Sequence, residues 1–294
     1  YTLTVLFYLQ LMRYLLVVLL LFPQIVSAQN HEAELIIYNI GFGGLSGGVG
    51  AVINKKTNEN WKKSFIRGFW QGSIGGAVNY TGKKTIYQVV KHKDMSYALP
   101  SRLLSSAGNS IIYNAALNEP FLQNWNIDYG IFRIDFSTKS AFGFNVRILP
   151  VAVISTGMAI PKGKIDWNTT LLSGVMTFSS NDYITTTNGS THDGVNYGRA
   201  FVYKKNDYKY HIIAHELMHE YQYRDYLVTN TFLKMEAARL KSSPLKRFVT
   251  KYFYPDLPYY GLAYMIEGVE RGPNYFKNYF ELEAECFATN NYVH

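Results

Sequence analysis

Three textures of apolar and polar residues succeed one another along the chain. Residues 34 to 53, ELIIYNIGFGGLSGGVGAVI, hold six glycines and no charge after Glu34. A second run between Trp61 and Tyr80 places Gly68, Gly72 and Gly76 four apart. Small residues at that spacing let two helix backbones approach closely. The two runs are therefore expected to form a glycine-rich helical hairpin, with Lys55, Lys56, Lys62 and Lys63 in the intervening loop. The first run is about long enough to cross a bilayer; the second carries Arg67 and Gln71. A membrane association through residues 34–80 stands beside a close helix pair inside a soluble body, and a β reading of 36–53 stays open because glycine lowers helix propensity. Residues 98–117 predict a further helix, broken or bent near Gly108.

After Pro120 the texture becomes β-branched and aromatic. Residues 127–137, 142–156, 163–179 and 197–204 partly alternate, with Gly, Asn and Ser clusters between them, and predict an antiparallel meander. The polar stretch 180–196 predicts a loop before the last strand. From 209 onward the pattern is helical over 209–225, 227–241, 244–253, 259–270 and 275–291, with Pro244, Pro255, Pro258 and Pro273 marking breaks. The expected fold is α+β, with an N-terminal region at 29–120 and a sheet-plus-helix region at 121–294.

The first 28 residues read differently. Arg13 precedes the apolar run Tyr14 to Phe22, and Val26-Ser27-Ala28 offers the small residues a signal peptidase reads, so 1–28 are expected to be an upstream extension and signal peptide, with Met12 as the start. The protein is then expected to be exported, to the periplasm, the cell envelope or the medium. Composition fits a globular chain: 294 residues, 17% charged and 16% aromatic. The net charge of +8 is dispersed in short pairs and carries no nucleic-acid motif, so no nucleic-acid partner is expected. Cys286 is the single cysteine, which excludes an intramolecular disulfide and predicts a buried thiol.

The candidate chemistry lies in the helical part. His215-Glu216-Leu217-Met218-His219 is an H-E-x-x-H pattern, with no Pro or Gly from 209 to 224. Residues four apart share a helix face, so His215 and His219 can present two ring nitrogens to one ion, and neutral imidazole suits Zn2+. Glu216 is in this motif the carboxylate that takes a proton from water. A catalytic zinc needs a third protein ligand. The segment Glu281-Leu282-Glu283-Ala284-Glu285 supplies candidates on a second predicted helix. His211, one turn before His215, could contact the site or merely pack. Asp225 or Glu220 could orient a ligand histidine. Tyr259, Tyr260, Tyr264, Tyr275 or Arg271 could stabilise an oxyanion. His31, His92, His192 and His294 show no ligand spacing.

H-E-L-M-H followed by E-L-E-A-E-C-F-A resembles the gluzincin metallopeptidases, and the second segment is similar to the E-[FY]-x-A-D-x-x-A helix of the CAAX-prenyl and heat-shock membrane endopeptidases. The resemblance covers these two patches only. It implies a zincin-like helical subdomain after the sheet, zinc held by His215, His219 and Glu281, Glu216 as general base, and a supporting role for Glu285, where this chain has Glu for the family's Asp. Glu283 remains a rival third ligand. The resemblance also implies a peptide or protein substrate paired along a sheet edge. Two other readings accompany it: an envelope-associated metal-binding protein without turnover, and a zinc hydrolase acting on a non-peptide amide.

Overall fold

A computed structural model describes residues 31–139, 143–186, 189–233, 244–271 and 278–290. The expected signal peptide at 1–28 lies outside them. The fold is mixed α+β. Helix α1 spans His31–Ile53 and α2 spans Trp61–Thr85, so the β reading of 36–53 is not realised. Asn60 caps α2 by accepting from the backbone N–H of Lys62, which places Lys62 and Lys63 in the first helical turn instead of the loop.

The glycines act as the spacing predicts for a close approach. A Cβ on Gly72 would lie 2.1 Å from the carbonyl oxygen of Gly43, and one on Gly76 would lie 2.2 Å from that of Asn39. A short helix α3, Tyr87–His92, follows, and on another side of α2 Gly75 and Gly82 lie against helix α4, Ala98–Ala116. That helix runs unbroken through Gly108, so the expected break there is not realised. Gly108 is small because the backbone of Asn79 passes there, 2.5 Å from where its Cβ would stand. By length and composition α1 could cross a membrane, yet 67% of its most apolar stretch is buried within the protein.

The β region departs from the expected meander. Residues 127–137 divide at Gly130 (φ +57°) into β1, Asn124–Tyr129, and β2, Phe132–Ser137, which pair antiparallel with β3, Gly143–Ile148. Alternation turns Asn126, Asp128 and Arg133 into the body, while Phe132, Phe136, Phe144 and Val146 are exposed on the other face. The expected strand 142–156 ends at Ile148. Pro150 opens helix α5, Pro150–Ala159, because proline at the first helical position has its φ already set and loses no hydrogen bond.

The expected strand 163–179 is also divided. Asp166 accepts from Thr169 N–H and caps a short helix, α6, Trp167–Ser173, which Gly174 (φ +69°) ends. What remains is β4, Lys164–Ile165, and β5, Met176–Ser180. After a small antiparallel pair, β6 (Ile184–Thr185) and β7 (Thr191–His192), two further pieces, β8 (Gly194–Asn196) and β9 (Ala200–Lys204), complete a sheet ordered β4-β5-β9-β8, in which β5 and β9 run parallel. An antiparallel meander therefore describes only the first sheet. The stretch 180–196 is not all loop, since it supplies β8, which forms one edge of the second sheet.

The remaining helices are α7, Lys209–Asp225; α8, Pro244–Tyr252; α9, Tyr259–Arg271; and α10, Tyr279–Thr289. Residues 226–233 form a tighter 3-10 helix where an α-helix was expected, and the rest of that expected helix lies outside the described residues. One apolar core joins Leu35, Tyr38 and Phe42 of α1 to Leu217 and Tyr221 of α7 and Phe280 and Phe287 of α10. The N-terminal helices thus share a core with the two helices that carry the candidate chemistry. Gly72→Ala should cost about 1–3 kcal/mol by overpacking the α1–α2 contact. Urea unfolding checks this; an unchanged midpoint would mean the helices can separate freely.

Candidate metal centre

Helix α7 is buried along almost its whole length from Ile212 to Asp225, a setting that forces every polar side chain in it to find a partner. His215 and His219 project toward α10, where Glu281 meets them. His215 Nε2 lies 3.1 Å from Glu281 Oε2, His219 Nε2 lies 3.3 Å from the same oxygen, and the two Nε2 atoms are 3.2 Å apart. Three donors on a tetrahedral zinc at 2.0–2.1 Å would be spaced by about 3.3 Å. The three separations fit that triangle. Among the described residues, His215, His219 and Glu281 form a group that could hold a metal ion.

The outward nitrogens are committed as well. Glu285 Oε2 lies 3.4 Å from His215 Nδ1, and its Oε1 lies 3.1 Å from His211 Nε2. His219 Nδ1 lies 2.9 Å from Gln222 Oε1 and 3.0 Å from the Tyr260 hydroxyl. Acceptors at both Nδ1 positions favour the tautomer that keeps a proton there and leaves Nε2 with a free lone pair. The Tyr264 hydroxyl donates to Glu281 Oε1 at 2.6 Å and holds the carboxylate in place. Neither Glu220 nor Asp225 orients a histidine. Glu220 pairs with Arg102 and Arg199, and Asp225 with Lys83.

Glu283, the rival third ligand, points to the opposite side of α10. It is fully buried and receives Lys83 Nζ at 2.9 Å, Gln222 Nε2 at 2.8 Å and Asn39 Nδ2 at 3.2 Å. Lys83, itself fully buried on α2, also contacts Asp225 Oδ2 at 2.7 Å. Burial alone would lower the Lys83 pKa, but Asp225 and Glu283 outweigh it and raise it. Lys83 thus ties α7 to α10, and Gln222 carries the link on to His219.

Glu216 stands beside the ligands in a cleft of about 430 Å3 that also includes His219, Glu281, Tyr197 and Tyr264. Burial raises its pKa, while His215 and His219 pull it down. Its carboxylate lies against β8, where a Cβ on Gly194 would come within 2.4 Å of Glu216 Oε1. Asn196 Nδ2 donates to the Glu216 carbonyl at 2.8 Å and clamps β8 to α7. Tyr197, which directly follows β8, has a hydroxyl enclosed in the cleft wall without a hydrogen-bond partner.

Of the expected tyrosines, Tyr260 and Tyr264 reach the site. Tyr275 and the Arg271 side chain lie outside the described residues. Cys286 is buried as expected, and burial pushes its thiol up to about 12. Sequence reasoning missed Lys83, Gln222 and Tyr197. Gln222 follows His219 at three residues, the spacing of a same-face neighbour, and was legible in principle.

Two outcomes follow from this geometry. Lys83→Met should leave two buried carboxylates without a cation, cost about 3–5 kcal/mol and weaken metal retention. Thermal unfolding together with metal content would show it, and undiminished stability would refute the linking role. The second concerns pH. Without metal, burial opposes protonation of His215, but Glu281 and Glu285 outweigh it and raise its pKa to about 10. That raised value stabilises the metal-free fold below the ordinary imidazole range, a contribution lost as pH climbs toward 10. A metal must displace this proton, so zinc affinity should rise about tenfold per pH unit between 7 and 9. Chelator competition at several pH values measures the slope, and a flat profile would contradict it. Compared with known proteins, the chain matches no family model, no curated protein and no solved structure.

Proposed function

We propose that this protein is a zinc-dependent metallopeptidase in which His215, His219 and Glu281 hold the metal and Glu216 is the general base. The observation that carries the reading is the triangle of three donor atoms at 3.1, 3.2 and 3.3 Å, with Glu216 beside it in an open cleft. A zinc ion bound there would polarise a substrate carbonyl and acidify water. Glu216 would accept the proton of the attacking water and return it to the leaving amine. Burial raises the pKa of its carboxyl although the two imidazoles oppose the shift, the direction that makes a carboxylate a better proton acceptor.

Two features favour a peptide over other amides. Strand β8 lies at the edge of its sheet and lines the cleft through Gly194, Val195 and Asn196, so an extended chain could add to it by backbone hydrogen bonds. The Tyr197 hydroxyl has no hydrogen-bond partner among the described residues and belongs to the wall of the same cleft, so it would be available to donate to a developing oxyanion. The zincin-like organisation implied by the resemblance, sheet edge beside an H-E-x-x-H helix with a glutamate from a later helix, belongs to this same reading. The apolar stretch of α1 and the expected export signal are compatible with work at the cell envelope.

The test is a pair of variants assayed on a mixed peptide library. Glu216→Gln should keep one bound zinc and lose hydrolysis by about a thousandfold or more, while His219→Ala should lose the metal itself. Wild-type turnover in the Glu216 variant would remove the mechanism.

A further inference from the structure

The first sheet shows its apolar side to the outside. Three residues on each of β1, β2 and β3 face outward, from the row of Trp125, Phe136 and Phe144 at one end to the row of Tyr129, Phe132 and Ile148 at the other, and every one is aliphatic or aromatic. Phe144 is 66% exposed, and Phe132, Phe136 and Val146 are exposed beside it. The common reason for an apolar sheet face, a core packed against it, does not apply, because the side chains this sheet buries are Asn126, Asp128 and Arg133 on the opposite face.

The apolar face continues onto α8. Ile148 is bridged in parallel to Phe253, the residue that follows α8. Successive residues of an extended chain point to opposite sides. Tyr254 has its ring under Arg133 and Arg147, on the inward side, so Phe253 stands outward with Ile148. Phe248 packs on Phe253 with ring centroids 6.2 Å apart and on Tyr252 at 5.0 Å, and Phe248, Val249 and Tyr252 are all exposed. Arg247 and Lys251, four residues apart, share an adjoining face of the same helix, and both are exposed. Helix α8 is therefore basic and amphipathic, and it borders an uncharged aromatic surface.

We propose that this face docks on a bilayer surface that carries anionic lipid, with the aromatic rings at the depth of the headgroups and Arg247 and Lys251 against lipid phosphates. Uncharged aromatic area beside two cations calls for an occupant that offers apolar depth and negative charge side by side. A second copy packed face to face would supply the apolar area but no counter-charge, since neither the outward positions of the sheet nor α8 holds an acid. The contact is made by a different surface from the α1–α2 hairpin, and it stands independently of the metal site.

The test places an environment-sensitive fluorophore on the full chain through Phe144→Cys. Cys286, the single native cysteine, is buried, so labelling is confined to the new thiol. With vesicles of phosphatidylcholine and phosphatidylglycerol, mixed about two to one, the emission should shift to the blue and saturate, and with phosphatidylcholine alone the partitioning should weaken about tenfold or more. Arg247→Gln combined with Lys251→Gln should cost about twentyfold in partitioning, roughly fivefold for each cation near an anionic surface. Phe248→Ser, at a site 54% exposed where the fold is not at risk, should cost about tenfold. The same label introduced by Trp70→Cys, on the exposed side of α2, should not shift. A blue shift at 70 and none at 144, or partitioning unchanged by the two cation replacements, would overturn the proposal. So would a shift at 144 that grows with protein concentration in the absence of vesicles, which would assign the face to self-association.

Discussion

The candidate site depends on one buried cation. Lys83 is fully enclosed on a glycine-rich helix, and its ammonium is bound by Asp225 from α7 and Glu283 from α10. Removing the ammonium would leave two buried carboxylates without a cation in a medium that penalises them by several kcal/mol, so the relative position of the two helices is tightly restricted. Glu283 and Glu281 are two residues apart on α10 and point to different sides. When Glu283 is fixed on Lys83, Glu281 is turned toward the histidines. The glycines belong to the same constraint, because only a helix without side chains on those faces lets α2 pack between α1 and α4 and deliver Lys83 to this depth.

From that anchor a polar chain runs outward. Lys83 binds Glu283, Glu283 accepts from Gln222, and Gln222 accepts from His219. Each member fixes the rotamer or tautomer of the next, as supporting residues around metal ligands do. Tyrosines close the other sides: Tyr260 on His219 and Tyr264 on Glu281. A site assembled this way has little freedom to rearrange. The first sheet contributes from a distance. Its inward face is polar, with Asp128 and Arg133 joining the arginine cluster behind α7, and its outward face carries exposed phenylalanines. That sheet is inverted relative to the common arrangement of apolar side inward.

Much of the organisation was legible in the residues. The four-residue glycine spacing marked the close helix approach, the uninterrupted 209–224 stretch marked α7, and the H-E-x-x-H spacing marked two histidines on one face. Where local pattern failed, a specific residue explains it. Pro150 and the Asp166–Gly174 pair open and close helices inside stretches whose β-branched content favoured strands, because capping and fixed φ outweigh a weak strand preference. The helix is not broken at Gly108, where the missing side chain makes room for a neighbouring backbone.

The amino-acid sequence by itself determined which side chains share a helix face, because a 3.6-residue period is a local property. It therefore placed His215 with His219, and Glu281 apart from Glu283. Only the tertiary structure decided which glutamate meets the histidines, since that depends on how α10 is rotated against α7, and the rotation is set by Lys83 from 200 residues away in the chain. The parallel pairing of β5 with β9 and the convergence of Arg102, Arg133, Arg199 and Arg224 around Asp128 are likewise products of long-range packing. Such contacts carry no periodicity for a linear reading to detect.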